Sequence, residues 1–344
     1  MTTHASGARR ITIRDVAARA GVSTSSASLV LRSAAGVSAE TRQRVEQAMA
    51  ELDYRPLASA RGMRGKTFTI GVLVSDIHNP FFGILLDGVI ERFTGTGYEP
   101  LIGPGGATAP SQTRMIQAMR DRQMDGLILI GPHVAAADLE SIAAEIPMVV
   151  VGRHGPADHF DTVAGDDERG SHLIVDHLVG LGHRRISYVT HWDPESADDR
   201  RPENRRELGY IEAMQRHGLA NHIDVIREEW SHDGGLRAAA TLVSRPQRPT
   251  AVHAGADVSA FGLLTGLAEA GLATPDDISV AGYDNTVTSA LPRVSLTSID
   301  QSGHEIGRVA ADLLLDRIDG RRRSVHEVTA PTLAVRSSTA PPAI

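Results

Sequence analysis

Short apolar runs alternate with segments of helical periodicity from Phe68 onward, and this alternation limits the possible folds more than any other feature of the chain. The runs have no polar face, which indicates strands buried on both sides, and the helices between them favour a parallel sheet covered on both faces. The clearest runs are FTIGVLVS, DGLILIG, PMVVVG, RRISYVT, TAVHAG and ISVAGYDN. About ten such strands exceed one sheet of usual size. We therefore predict an α/β core of two doubly wound parallel-sheet lobes.

Polar side chains directly follow three of these strands. Residues 76–79 (DIHN), 152–154 (GRH) and 283–285 (YDN) each stand at the carboxyl end of an apolar run. Ligands of open α/β sheets bind at the carboxyl ends of the strands. The sequence therefore predicts a ligand site at these positions.

The stretch 12–31, TIRDVAARAGVSTSSASLVL, has the pattern of two short helices joined by a tight turn. Thr12 and Asp15 have the spacing of an N-terminal helix cap. Gly21 suits a left-handed turn, and Ser23 can cap the second helix. A third helix capped by Ser38 would complete an all-α headpiece of about fifty residues, which is small but within the range of marginally stable domains.

The second of these helices is expected to bury Ala27, Val30 and Leu31. Its outward face then carries short hydrogen-bonding side chains and no acid: Thr24, Ser25, Ser26 and Ser28. Such a surface suits insertion into the major groove of DNA. An ordinary small helical hairpin would show the same pattern, so this stretch alone leaves both interpretations open.

Charge separates the N-terminal part from the rest of the chain. The 344 residues have a net charge of −7, but residues 1–66 contain eleven Lys and Arg against five Asp and Glu, which leaves −13 for the remainder. A basic head on an acidic protein is expected where only the head meets a polyanion. The segment 57–66, LASARGMRGK, is interrupted by Gly62 and is either a solvated linker or a hinge that becomes ordered on DNA.

Several classes of site and location are disfavoured. The chain has no cysteine, which excludes disulfides and thiolate metal sites. No run of eighteen apolar residues and no secretory start are present, so we expect a cytoplasmic protein without a membrane partner. The glycine-rich stretch 103–110 lacks the spacing of a dinucleotide-binding loop. His177 and His183 are six residues apart and do not share a helical face for zinc. We expect no cofactor, no metal and no enzymatic activity.

Seven motifs together carry a family resemblance over residues 11–338: TIRDVAARAGVSTSSASLVL, VSAETRQRVEQAMAELDYRP, IGVLVSDIHNPFF, DGLILIG, HLVGLGHRRISYV, RRELGYIEAM and SVAGYDN. In this order and spacing the chain resembles the lac-repressor (LacI/GalR) family of bacterial transcription regulators. The resemblance implies a helix-turn-helix headpiece and a core like that of periplasmic binding proteins. It places the headpiece at 1–56, a hinge at 57–67, the N-terminal lobe at 68–163 and 299–324, and the C-terminal lobe at 164–298 and 325–344.

The resemblance also implies which headpiece and hinge residues contact DNA. Thr24 and Ser25 would read bases, with Ser26 and Ser28 nearer the phosphates. Leu29 and Arg32 depart from the residues frequent in the family, so operator preference does not transfer directly. Met63 stands where members wedge a leucine into the minor groove, and methionine is also a suitable apolar wedge. The full implied set is Thr12, Thr24, Ser25, Ser26, Ser28, Leu29, Arg32, Tyr54 and Met63.

A small-molecule effector site is implied in the core, at Asn79, Phe81, Phe82, Arg153, Arg206, Trp230, Asp284 and Gln301. Aromatic faces can pack on the C–H side of a sugar ring, while Arg and Asp make charge-assisted hydrogen bonds to hydroxyls. Taken singly, each residue has a purely structural explanation. Gly152 and Ala256 stand where sugar-binding relatives often have aspartate and asparagine, so the effector has fewer hydroxyls or is larger.

The sequence thus predicts a regulator, most simply a repressor, whose affinity for a pseudo-palindromic operator is switched by a sugar or sugar derivative. A homodimer is expected, because the tail TLAVRSSTAPPAI contains no heptad run that would join dimers further. A solute-binding protein for carbohydrate import is the first alternative, although it needs no basic headpiece. A sugar- or nucleotide-processing α/β enzyme is the second, although no acid–base pair or phosphate loop is recognisable.

Overall fold

The structure, a computed structural model, describes residues 11–31, 36–54, 66–191 and 200–343. Its internal contacts divide these residues into two units. The first contains the described residues up to Thr69 together with Arg120–Asp125, and the second contains Ile70–Met119 together with Gly126 onward. We describe the three-helix headpiece within the first unit and the α/β core separately.

The headpiece contains three helices, α1 (Ile13–Ala20), α2 (Thr24–Leu31) and α3 (Ala39–Glu51). Their apolar faces are formed by small side chains, so the helices approach closely around a small core. Its buried members are Val16, Ala17, Ala20, Ala27, Val30, Val45 and Ala48. This arrangement confirms the predicted helical headpiece, although Leu31 is only half-buried.

Local capping explains where the first two helices begin and end. The Asp15 carboxylate accepts hydrogen bonds from the Thr12 amide at 2.8 Å and from the Thr12 hydroxyl at 2.7 Å. Gly21 ends α1 with a φ of 64°, in the left-handed region that glycine adopts without strain. The Ser23 hydroxyl oxygen accepts a hydrogen bond from the Ser26 amide at 3.0 Å and so caps α2.

The core consists of strands and helices that alternate along the chain. Its first part comprises β1 (Thr69–Val74), α4 (Pro80–Phe93), β2 (Glu99–Pro104), α5 (Ala109–Asp121), β3 (Gly126–Ile130), α6 (Ala136–Ala143), β4 (Met148–Val151) and β5 (Asp161–Gly165). There follow α7 (Asp167–Gly180), β6 (Ile186–His191), α8 (Pro202–Arg216), β7 (Asp224–Glu228), α9 (His232–Val243), β8 (Ala251–Ala254) and α10 (Asp257–Glu269). The last part comprises β9 (Ser279–Tyr283), β10 (Thr297–Asp300), α11 (Gly303–Ile318), β11 (His326–Thr329) and β12 (Thr332–Ala334).

These strands form two six-stranded sheets, and each sheet is the centre of one lobe. Lobe 1 has the strand order β11-β5-β4-β3-β1-β2, and lobe 2 has the order β12-β10-β9-β8-β6-β7. Strand β12 runs antiparallel to β10, while the central neighbours in both sheets run parallel. The predicted architecture of two doubly wound lobes is confirmed.

The chain crosses between the lobes at three places, all of which differ from the predicted boundaries at 163/164, 298/299 and 324/325. Strand β5 pairs with β11 in lobe 1 as far as Gly165, so the first crossing comes after Gly165. Strand β10 reaches Asp300 and pairs with β9 in lobe 2, so the second crossing comes after Asp300. Strand β11 pairs with β5 in lobe 1, so the third crossing comes after Thr329. Short strands at a sheet edge or a crossover show little apolar periodicity, which is why the sequence did not reveal β10 and β11.

Helices α4 and α11 pack closely in lobe 1 because glycine stands at their contact. A Cβ atom on Gly307 would lie only 2.0 Å from the Leu85 carbonyl oxygen. The close approach lets the apolar faces of both helices reach the strands of lobe 1. Within the described ranges, no helix has both the length and the apolar character needed to cross a membrane.

Candidate functional site

A cavity lies between the two lobes at the carboxyl ends of the strands, where the sequence predicted a ligand site. It contains about 990 Å³ of space not filled by protein atoms, part of which is open to solvent. Its lining combines apolar, aromatic and charged side chains, as small-molecule sites do.

Seven of the eight predicted effector residues line this cavity: Asn79, Phe81, Phe82, Arg206, Trp230, Asp284 and Gln301. Residues separated by more than two hundred positions in the chain are thereby brought together. Arg153 is not among the lining residues, and only 2% of its surface is exposed. The structure thus separates Arg153 from the other seven.

The wall formed by lobe 1 is built on the start of α4. The Asn79 side-chain oxygen accepts a hydrogen bond from the Phe81 amide at 3.0 Å and caps the helix, which Pro80 begins with a fixed φ. Phe81 is 8% exposed and belongs to the apolar core of lobe 1, whereas Phe82 is only partly buried. Phe82 therefore offers more aromatic surface to the cavity than Phe81 does.

Arg206, on α8, is the centre of the wall formed by lobe 2. Its Nε donates to Asp167 Oδ1 at 2.7 Å, its Nη1 to the Gly255 carbonyl oxygen at 2.6 Å, and its Nη2 to Gln301 Oε1 at 3.1 Å. The guanidinium carbon also lies 3.7 Å from the centre of the Tyr283 ring and 4.8 Å from that of Trp230. These contacts fix the guanidinium in one orientation beside the cavity.

Two carboxyl groups near Arg206 have opposite pKa shifts. Burial raises the pKa of Asp167, but Arg206 and His154 outweigh this and hold the pKa below its usual range. Burial raises the pKa of Asp284 well above its usual range, against the attraction of Arg206, which is 3.9 Å away and already paired with Asp167. A single arginine therefore stabilises the charge of Asp167 far more than that of Asp284.

Some buried polar atoms of residues that line the cavity have no hydrogen-bond partner among the described residues, and two of these atoms bear on ligand binding. They are Asp284 Oδ2 and Trp230 Nε1. The other oxygen of Asp284 accepts from Gln301 Nε2 at 2.6 Å. Unsatisfied buried groups are rare in folded proteins and costly. Both atoms belong to residues that line the cavity.

Asp284 also has an unusual backbone conformation, with a φ of 120°, and the next residue, Asn285, has a φ of 50°. Both values lie in the left-handed region that glycine favours. The surrounding structure holds them: the Asp284 amide donates to the Ile299 carbonyl at 2.8 Å, and the Asn285 amide donates to Ser298 Oγ at 3.0 Å. Backbone strain of this kind is concentrated at functional sites.

The two departures from the sugar-binding pattern have distinct structural settings. Gly152 lines the cavity with a φ of 76°, so a side chain at this position would strain the backbone, even though a Cβ atom would come no closer than 3.6 Å to its neighbours. The carboxylate in this part of the site comes instead from Asp167. Ala256 is 1% exposed and precedes α10 without a side-chain cap.

Sequence reasoning missed Asp167, His133 and Arg201, all of which line the cavity. His154 was noted only as part of a polar strand end. Its Nε2 donates to Asp167 Oδ2 at 2.6 Å, from lobe 1 to lobe 2. The polar pair 166–167, which directly follows the apolar end of β5, is the signal that would have indicated Asp167.

Some of the predicted DNA-contacting residues are exposed on the headpiece, and others bond to or pack against headpiece residues. Thr24 and Ser25 are exposed on α2, and Ser28 and Leu29 are half-buried. The Ser26 hydroxyl lies 2.9 Å from that of Ser23. Thr12 is exposed but bonded to Asp15, and Tyr54 packs against the headpiece core. Arg32 and Met63 lie outside the described residues.

Among the described side chains, no group of three or more His, Asp or Glu residues is arranged to hold a metal ion. His183, one of the two histidines weighed as a zinc ligand, is instead tied to Thr250 at 2.8 Å and to the Ala340 carbonyl at 2.9 Å.

Two protein-family models match the chain. Residues 12–56 match the model for bacterial regulatory proteins of the lacI family, and residues 175–339 match a periplasmic binding protein-like domain. The HTH-type transcriptional repressor PurR of Erwinia tasmaniensis is 33% identical over 340 residues, which cover 96% of this chain and 97% of that protein.

Solved structures agree with these matches. The lac repressor dimer bound to operator and the anti-inducer ONPF has a TM-score of 0.81 and 25% identity, covering 96% of this chain and 100% of that one. A LacI family transcriptional regulator from Enterococcus faecium with bound ribose has a TM-score of 0.70 and 30% identity, covering 79% of this chain and 99% of that one. The chain therefore belongs to the lacI family of bacterial regulatory proteins, as a DNA-binding transcriptional regulator with an effector-binding core and not as an enzyme.

Proposed function

We propose that this regulator represses transcription as a homodimer on a pseudo-palindromic operator, and that a sugar or sugar derivative in the cavity changes its operator affinity. The observation that carries the choice of effector is the pair of unpartnered buried atoms, Asp284 Oδ2 and Trp230 Nε1. One is a carboxyl oxygen and the other an N–H donor. A hydroxyl group, which both donates and accepts hydrogen bonds, can satisfy either atom.

The aromatic side chains of the cavity support a sugar. Phe82 and Trp230 line it from opposite lobes and can pack on the apolar C–H faces of a pyranose or furanose ring. Arg206 is held in place with N–H groups beside the cavity. The bound ribose in the Enterococcus faecium relative is consistent with this chemistry.

Exposed apolar side chains on the core support a homodimer. Leu101 and Ile102 are 46% and 48% exposed on β2, the edge strand of lobe 1, and Val287 and Leu291 are 79% and 49% exposed on lobe 2. A second copy of the chain would cover these residues in a two-fold symmetric contact. The lac repressor structure similar to this chain is also a dimer.

DNA recognition is assigned to the exposed start of α2. Thr24 and Ser25 would reach base edges in the major groove, with Ser26 and Ser28 closer to the phosphates. Two headpieces of a dimer would contact two half-sites, which accounts for a pseudo-palindromic operator. Met63 would enter the minor groove between the half-sites.

The effector acts only through its different affinity for two states of the protein. The cavity is formed by both lobes, so a ligand that contacts Phe82 of lobe 1 and Trp230 of lobe 2 favours one arrangement of the lobes. Each arrangement of the lobes would have its own operator affinity.

The test begins with selection of binding sites from random duplexes, followed by affinity measurements at several salt concentrations. We expect a palindromic consensus and an affinity that falls steeply with salt, because several phosphates are neutralised. Ser25→Ala should weaken binding to the selected site more than to unrelated DNA. A chain that binds no duplex at any salt concentration would contradict the proposal.

The effector is tested by a thermal-shift screen with pentoses, hexoses and disaccharides, followed by operator titrations with any sugar that stabilises the protein. Asp284→Asn should abolish the stabilisation. Asp233→Asn is the matched control, because Asp233 is 82% exposed on lobe 2 and is not among the residues that line the cavity. If stabilising sugars leave the operator affinity unchanged, the cavity is not a regulatory sugar site.

A further inference from the structure

We infer that His154 and Asp167 form a positioning pair, in which His154 of lobe 1 helps Asp167 of lobe 2 to orient Arg206 and so couples the lobe arrangement to the shape of the cavity. His154 is not among the lining residues and acts through its partner. The inference rests on the proposed function only in treating the cavity as the effector site.

Asp167 contacts both lobes through its carboxylate. It is the first residue of α7, where the positive end of the helix dipole stabilises a carboxylate, and its side chain is 2% exposed. Its Oδ1 accepts from Arg206 Nε at 2.7 Å and its Oδ2 from His154 Nε2 at 2.6 Å. The two oxygens of a single carboxylate thus bind one group from each lobe.

His154 lies in the segment between β4 and β5 of lobe 1. Its side chain is 14% exposed, so solvent competes little for the bond to Asp167. Its backbone amide also donates to the Arg200 carbonyl of lobe 2 at 2.8 Å. Hydrogen bonds depend steeply on distance and angle, so a small separation of the lobes breaks both contacts.

A second bridge between the lobes lies at the start of α8. Arg201 Nη2 donates to the His133 carbonyl of lobe 1 at 3.2 Å, and Arg201 Nη1 lies 3.2 Å from His133 Nδ1. Arg201 directly precedes α8, the helix that carries Arg206, and Pro202 and Glu203 of its first turn line the cavity. The start of α8 is therefore held to lobe 1 from two sides.

The consequence is that Arg206 has two environments. While the lobes are as in this structure, Asp167 is fixed at both oxygens and presents Oδ1 to Arg206. Once His154 leaves, Asp167 retains the Arg206 contact alone and its carboxylate can rotate. A change of lobe arrangement thus reaches the guanidinium even in the absence of a ligand.

The test uses the natural absence of cysteine, which allows one spin label to be placed on each lobe without removing other thiols. Ala137→Cys on α6 and Ala240→Cys on α9 replace exposed alanines with little disturbance. The distance distribution between the labels is measured by double electron–electron resonance in the full-length protein, without any added ligand.

His154→Ala should increase the ratio of separated to joined lobes by roughly tenfold, because a hydrogen bond accepted by an ionised carboxylate is stronger than one between neutral groups. His154→Gln, which keeps an N–H donor, should restore most of the original distribution. His159→Ala is the matched control: His159 lies in the same segment but bonds to Glu140 of its own lobe at 2.9 Å, and it should change nothing.

A purely structural histidine would lower thermal stability without this redistribution, so unfolding temperatures are measured on the same samples. In an Asp167→Asn background, His154→Ala should have much less effect, because its charged partner is already gone. An unchanged distance distribution in His154→Ala, or equal effects in both backgrounds, would overturn the inference. Operator binding is assayed separately, so a protein that binds no DNA but shows the redistribution contradicts only the proposed function.

Discussion

Replacing Arg206 with methionine should destabilise lobe 2 strongly, even though methionine retains much of the side-chain volume. The Arg206–Asp167 pair has an N–O distance of 2.7 Å, and the two side chains are 5% and 2% exposed. Removing one partner of a buried pair leaves the other charge without its counterion and costs about 3–5 kcal/mol. We expect Arg206→Met to lower the free energy of unfolding by about this amount in urea titrations followed by circular dichroism.

The same lobe contains an exposed ion pair that serves as a matched control for the buried one. Arg237 and Glu228 also have an N–O distance of 2.7 Å, but Arg237 is 50% exposed. Exposed pairs contribute about 0–1 kcal/mol, because water screens the charges and two long side chains lose freedom. Arg237→Met should therefore cost no more than about 1 kcal/mol.

A double substitution separates the lost attraction from the charge left behind. Adding Asp167→Leu to Arg206→Met removes the buried carboxylate that no longer has its arginine, so the double variant should be more stable than Arg206→Met alone. If Arg206→Met and Arg237→Met cost the same, or if the second substitution recovers no stability, the reasoning from burial is wrong.

Three further results are expected. Burial lowers the pKa of His253 to about 3, so the unfolded chain takes up the proton first as the pH falls below the ordinary value of about 6.5. Stability should then decline by about 1.4 kcal/mol per pH unit between these values, and His253→Gln should flatten that part of a pH series of urea titrations. Gly307→Ala should lower the unfolding temperature, with a loss of about 1–3 kcal/mol from overpacking at the Leu85 carbonyl. Gly83→Ala on α4, where nothing lies within 4 Å, should not lower it. In quantitative gel shifts, Thr24→Ala should weaken binding to the selected operator more than to unrelated duplex, and equal weakening of both would remove Thr24 from base recognition.

The fold was largely predictable because its signals are local. Apolar runs such as that of β3 identify buried strands without knowledge of their neighbours. Gly21 and Ser38 likewise marked the ends of headpiece helices from turn and capping preferences. Edge strands were harder, since β11 alternates little and is held mainly by its pairing with β5.

The residues of the cavity were predictable through the family motifs, but their connections were not. Asp167 and Arg206 are 39 positions apart, and His154 comes from the other lobe. No periodicity links such residues, because their contact is created by the tertiary fold. Phe81 shows the reverse case, since a motif position that suggests ligand contact is also part of the apolar core.

The three crossings between the lobes have a consequence for the order of folding during synthesis. Lobe 1 receives β11 and lobe 2 receives β12, and both strands lie within the last twenty described residues of the chain. Neither sheet can be completed until the chain has been synthesised as far as Ala334. The third headpiece helix ends at Glu51, so the headpiece can fold long before the core.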